Sequence, residues 1–209
     1  MKLRAQGQPV AYLTECSEFW SLPLRVTPDV LIPRPDTELL VEAALEKIPP
    51  SADWRIADLG TGSGAIALAI ASERKKCEVH ATDNSMAALD VAMENAALLK
   101  MPAVQFHYGS WNDPLRDKFH LVVSNPPYID GDDPHLKRGD LRFEPRAALT
   151  PGDDGLSAIR TISRNVLPIL VEGGCLMFEH GWEQGSGTRE ILEAADYVNI
   201  KTLQDLQGH

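Results

Sequence analysis

The chain has 209 residues, 44% of them hydrophobic and 24% charged, the balance of a globular domain with one sizeable core. Its 20 Lys and Arg against 30 Asp and Glu leave a net charge of −10, which speaks against a duplex-DNA binder with its basic footprint. No stretch approaches the roughly 18 apolar residues of a membrane span, MKLRAQGQPV has no apolar leader core, and Cys16, Cys77 and Cys175 form no CxxC pair. The expectation is a cytoplasmic protein with reduced thiols, no metal and no membrane partner.

Residues 1–35 form a distinct opening segment. PVAYLTECSEFWSLPLRVTPDVLIPRP mixes short apolar alternation with turn residues and predicts a β-hairpin and linker. Residues 36–209 are expected to form the main domain. Asp36 is placed to cap a helix over TELLVEAALEKI, where Leu39, Leu40, Ala43 and Ala44 recur at helical spacing. From residue 54 strand and helix alternate: WRIADLG then GAIALAIASER, CEVHATD then SMAALDVAMENAALL, with VQFHYG and FHLVVS as further strands. GLSAIRTISRNVLPILV reads as helix, GCLMFEH as strand, GTREILEAA as helix and YVNIKTL as a last strand. This alternation predicts an α/β fold, a mostly parallel sheet with helices on both faces. Such sheets bind ligands at the carboxyl ends of their strands, where the motifs fall.

The first is the turn Gly60-Thr61-Gly62-Ser63-Gly64 in DLGTGSGAIALA, between a strand and a helix. Its glycines permit a tight turn and close approach of backbone to ligand. The spacing is GxGxG, and no Lys-Ser/Thr follows to hold phosphates, so a nucleoside without phosphates suits it better. Asp83 ends the next strand about 20 residues on, where a carboxylate can accept both ribose hydroxyls. Helix capping does not require Asp83, because Asn84 or Ser85 can cap.

The second motif is Asn125-Pro126-Pro127-Tyr128, directly after the apolar run HLVVS. Each proline holds the residue before it extended. The Asn125 side-chain carbonyl and the Pro126 main-chain carbonyl are then acceptors at fixed positions, suited to a planar NH₂ with two donors. Such a nitrogen is a poor nucleophile, and holding both its hydrogens aligns it with an electrophile. Tyr128 offers a flat face for the planar group.

The glycine turn with its acidic strand end resembles the class I S-adenosylmethionine-dependent methyltransferases, with a Rossmann-like sheet. The Asn-Pro-Pro-Tyr turn resembles their amino-methyltransferases, which act on adenine, cytosine or glutamine NH₂ groups. The resemblance implies S-adenosylmethionine as methyl donor and S-adenosylhomocysteine as product. It sets Asn125 beside that cofactor, and Trp111 of HYGSWND near the adenine, a position a Trp filling the core rim would also take. It likens Asp58 to an acid near the methionine amino group; a helix-turn acceptor for backbone N–H is the other reading, and both stay open.

Gly7, Pro9 and Tyr12 in GxPxxY spacing, then EFWSLPLRVTPDVLIPRPDTELL, FEPRAAL and LMFEHGW, resemble the peptide chain release factor N5-glutamine methyltransferases over nearly the whole chain. LIPRPDTE points to the release-factor branch and away from its ribosomal-protein sister. The implied reaction methylates the side-chain amide of the glutamine in a Gly-Gly-Gln loop, with release factors as protein partners. Arg34 and Asp36 to Glu38, before the sheet, are placed to line its mouth, with helix capping and a surface charge as the alternative. Relative to that family, the chain is expected to start at the connecting segment, without the helical N-terminal domain, and to stop before the last strand. AYLTECSEFW also lacks the glycine usual before Glu18. The rival function is a nucleic-acid (adenine N6) amino-methyltransferase using the same turn, against which the charge and the lack of a base-reading domain count. A non-catalytic nucleoside-binding module would leave Asn125 idle.

Overall fold

In the computed structural model, which describes residues 2–152, 154–204 and 208, five parallel strands form one sheet and two antiparallel strands a separate hairpin. The hairpin is β1 (Cys16–Phe19) and β2 (Leu22–Arg25). Phe19 faces Leu22, so Trp20 and Ser21 make a two-residue turn, both with positive φ (53° and 57°). That hand matches the twist of the strands but is costly for residues other than Gly and Asn. Two carboxylates hold it: Glu38 accepts from the Trp20 backbone N–H at 2.8 Å and Glu73 from its indole N–H at 3.1 Å.

Two short helices precede the hairpin, α1 (Lys2–Ala5) and α2 (Val10–Thr14). The apolar alternation in this stretch predicts no helix; at five residues α2 is too short to show a helical period. The helix at TELLVEAALEKI forms as α3 (Glu38–Lys47), but Asp36 does not cap it. Pro35–Thr37 winds into a 3₁₀ turn that runs straight into α3, so Asp36 lies inside the helical path and its side chain makes no cap bond.

The sheet strands are β3 (Arg55–Leu59), β4 (Glu78–Asp83), β5 (Gln105–Tyr108), β6 (Phe119–Ser124) and β7 (Leu170–Phe178), ordered β5-β4-β3-β6-β7. Alternate residues of the central strands serve two cores. Ile56, Leu121 and Val123 pack with α3 and with α4 (Ala65–Glu73), while Ala57, Leu59 and Val122 pack against Ile162 and Val166 of α7 (Ser157–Val166). With both faces covered, β3 and β6 carry unbroken apolar runs. The helix α5 (Met86–Leu98) begins at Ser85, whose hydroxyl accepts from the Ala88 N–H. Short α6 (Arg146–Leu149) and the closing α8 (Gly185–Ala194) complete the layers.

YVNIKTL does not form the strand its composition predicts. Asp196 and Asn199 take left-handed φ (64° and 58°), which breaks an extended run, and Val198 is 80% exposed. The Arg189 guanidinium donates to the Ile200 carbonyl and to Thr202, so a side chain takes the place of a ladder. The three cysteines are free thiols. Among the described residues no helix is long and apolar enough to cross a membrane.

Candidate functional site

The strand order reverses between β3 and β6, the position where open α/β sheets bind ligands. Leu59 pairs with Ser124, the last residues of those strands, and the Ser124 hydroxyl donates to the Leu59 carbonyl at 2.7 Å. Gly60 and Asn125 are the next residues of the two chains, so the glycine turn and the Asn-Pro-Pro turn leave the sheet side by side, roughly 4.8 Å apart as neighbouring strands are. On the far side of β3, Thr82 accepts from the N–H groups of Gly60 and Thr61, both at 2.9 Å, and Asp83 follows. On the far side of β6, Phe178 pairs with Ser124, and the Glu179 N–H donates to the Ser124 carbonyl at 3.1 Å. Asp83, Gly60, Asn125 and Glu179 thus stand in one row along the carboxyl edge.

Above this row lies a cavity of about 500 Å³. Gly60, Thr61, Gly62, Ser63, Asp83, Trp111, Asn125, Pro127 and Arg34 all border it. The glycines of the turn take φ of 73°, 56° and 84°, and a Cβ on Gly62 would project into open space. A Cβ on Gly64 would instead lie 3.3 Å from the Ala92 side chain, so this glycine serves the packing of α4 on α5. The Asp83 carboxylate fastens the turn: one oxygen accepts from Gly62 N–H and the other from Ser85 N–H, both at 2.9 Å. Burial raises its pKa, opposed by those backbone hydrogen bonds. Trp111 also takes a left-handed φ (47°), and its ring edge lies where a Gly60 Cβ would touch it at 3.4 Å. Its ring packs on the α7-side core as well, so Trp111 both fills the core rim and borders the cavity.

Asp58 is wholly buried beneath the turn and does not border the cavity. One oxygen accepts from the Thr61 hydroxyl at 2.7 Å and the Ala67 N–H at 3.2 Å; the other has no partner among the described residues. Burial pushes its pKa from the ordinary 3.8 up to about 7. The folded state therefore binds a proton that the unfolded chain has released between about pH 4 and 7, and this group's contribution to stability falls as pH rises through that window. The shift from 3.8 to about 7 corresponds to at most about 4 kcal/mol. Urea melts of the ligand-free protein across pH 4–8 are expected to show a falling stability that Asp58→Asn flattens. Equal slopes for both proteins would contradict the assignment.

Asn125 donates through Nδ2 to the Thr37 hydroxyl at 3.0 Å, and Thr37 donates to Glu179 Oε2 at 2.7 Å. Tyr128 donates its phenolic proton to Glu179 Oε1 at 2.7 Å. Burial and the adjacent Glu179 carboxylate raise the Tyr128 pKa and keep it protonated. Tyr128 does not border the cavity, nor does the buried Pro126. Arg34 borders the cavity but its guanidinium is paired with the fully buried Glu144 side chain, which also accepts from the Ile32 N–H at 3.3 Å. That ion pair ties the LIPRPD loop to the FEPRAAL loop over the site. Glu38 lies away from the cavity, on the hairpin turn. Of Asp36 to Glu38, only Thr37 borders the cavity, and sequence reasoning missed Glu179 although it lies in a quoted motif. Glu179 was recoverable from its register, one residue past the end of the strand beside β6.

A family model described as Methyltransferase small domain matches residues 35–151, more than half of the chain. The release factor glutamine methyltransferase of Vibrio cholerae is 52% identical over 208 residues, spanning 99% of this chain and 72% of that one. Its Escherichia coli counterpart is 48% identical, spanning 97% and 73%. The crystal structure of a release-factor-specific protein-(glutamine-N5) methyltransferase from Alicyclobacillus acidocaldarius is 28% identical with a TM-score of 0.53, covering 89% of this chain and 94% of that one. A ribosomal protein L11 methylase from Lactobacillus delbrueckii, 22% identical with a TM-score of 0.62 over 87% of this chain and 80% of that one, shares the fold.

Proposed function

The chain belongs to the release factor glutamine methyltransferases, and from that premise we propose how its cavity works: S-adenosylmethionine lies over the exits of β3 and β4, and the glutamine of a release factor's Gly-Gly-Gln loop enters at the exit of β6. The observation that carries this reading is the Leu59–Ser124 pairing, which opens the glycine turn and the Asn-Pro-Pro turn into one cavity. The residues present fit the cofactor. The Asp83 carboxylate, which borders the cavity, suits a ribose diol. The open space at Gly62 admits it, and Trp111 supplies an aromatic face. When bound, this cofactor supplies an electrophilic methyl group on a positively charged sulfur.

The protein's own work is alignment. Asn125 Oδ1, at the cavity wall, accepts an N–H bond of the glutamine amide and fixes the direction of attack. Its dipole stabilises the positive charge that grows on nitrogen as the new N–C bond forms. The methylated nitrogen is acidic and releases a proton to water, so no strong base is needed. Tyr128, held by Glu179, stiffens the wall behind Asn125. The Arg34–Glu144 ion pair holds the mouth in shape for the incoming loop.

The test is a transfer assay with methyl-labelled S-adenosylmethionine and a release factor, an adenine-containing oligonucleotide or no acceptor. Label is expected in the release factor alone, and to vanish when its Gly-Gly-Gln glutamine is replaced. Label in the oligonucleotide and not in the protein would overturn the reading.

A further inference from the structure

A carboxamide has two ends of opposite character, and only one suits the task given to Asn125. With Oδ1 toward the cavity it accepts from a substrate NH₂; with Nδ2 there it would face that NH₂ donor to donor. The skeleton of Asn125 is nearly symmetric, so something outside the residue must choose.

We infer that Thr37 and Glu179 are positioning residues that choose the orientation of the Asn125 amide, an inference that rests on the proposed role of Asn125. Glu179 is a carboxylate and can only accept. It lies 2.7 Å from the Thr37 hydroxyl and 2.7 Å from the Tyr128 hydroxyl, so both give it their single protons. Thr37, 5% exposed, has then no proton left for Asn125 and can only accept from it. The 3.0 Å contact is therefore Nδ2–H to oxygen, which turns Oδ1 the other way. No residue among those described takes that oxygen, and Asn125 borders the cavity. The polarity runs in one direction, from an acceptor-only anion on the β7 exit, through a hydroxyl before α3, to the amide on the β6 exit. Glu179 is placed for this by its backbone, which is hydrogen-bonded to Ser124, the neighbour of Asn125.

The inference separates Thr37 from residues that merely fill space. Thr37→Val keeps shape and volume but removes the acceptor, leaving Asn125 without its anchor. Turnover with saturating release factor is expected to fall on the order of 10- to 100-fold, the size typical of losing a partner one shell out. The dissociation constant for S-adenosylmethionine should hardly move, and the melting temperature should drop only by the few degrees that lost buried hydrogen bonds cost. Thr37→Ser, which restores a hydroxyl, should recover most of the loss. In an Asn125→Ala background the Thr37→Val change should add nothing, since it acts only through that amide. Glu179→Leu frees the Thr37 proton to bond Oδ1 and turn the amide round, so its kcat should fall by a similar factor with Thr37 intact.

Full kcat in Thr37→Val, or in Glu179→Leu should Thr37→Val not fold, would overturn the inference. So would losses that multiply in the double variant. Full activity in Asn125→Ala would instead sink the underlying role of Asn125, a distinct outcome.

Discussion

Asn125→Ala should stay folded and bind S-adenosylmethionine with nearly unchanged affinity, yet transfer methyl groups on the order of 100- to 1,000-fold more slowly. Among the described residues, the side chain makes one hydrogen bond, to Thr37, so truncation costs about 1 kcal/mol of stability. Its larger proposed role falls on the reacting nitrogen. An acceptor aimed at charge that develops only during reaction contributes to kcat, and removing one such preorganised dipole typically costs two to three orders of magnitude. Single-turnover rates with bound cofactor separate this from weaker binding. Undiminished turnover would reduce the Asn-Pro-Pro turn to a strand terminator.

Asp83→Ala should show the opposite partition. Its carboxylate faces the cavity while each oxygen already accepts a backbone N–H, one from Gly62 and one from Ser85. Charge-assisted hydrogen bonds contribute about 1.5–3 kcal/mol each. Losing the acceptor for two ribose hydroxyls, and the clamp on the glycine turn with it, should weaken S-adenosylmethionine on the order of 100-fold or more. Calorimetry reads this directly, and kcat at saturating cofactor should suffer far less. A dissociation constant that does not change would refute the ribose role. Taken together the two variants divide the cavity into a binding half at the β3–β4 exits and an aligning half at the β6 exit.

Much of this was written in local signals. Apolar runs bounded by glycine and proline placed all five sheet strands, and two short motifs placed both halves of the site, because a strand–turn–helix junction is determined by neighbours in sequence. What escaped depended on partners far along the chain. YVNIKTL has strand composition, but a strand exists only where a ladder accepts it, and here an arginine side chain takes the Ile200 carbonyl instead. Asp36 has the chemistry of a cap, yet Pro35 starts the helical winding one residue earlier. Glu38 and Arg34, four residues apart in the sequence, part company once folded: one supports the hairpin turn, the other the mouth. Thr37 and Glu179 meet across 142 residues of sequence, a separation no periodicity can report.

Asn95, fully buried on α5, donates to the Arg25 and Ser63 carbonyls and accepts from the Arg25 N–H at 2.6 Å. One side chain thus splints the end of the hairpin to the glycine turn. Order at one end and occupancy at the other then share a single free energy: a ligand that stills Ser63 also stills Arg25. Linkage requires the reverse, so that clamping the hairpin tightens the ligand by the same factor. With the cofactor placed as proposed, the opening segment becomes a remote handle on it, and the Arg25 amide, followed by hydrogen exchange, is the place to feel it move.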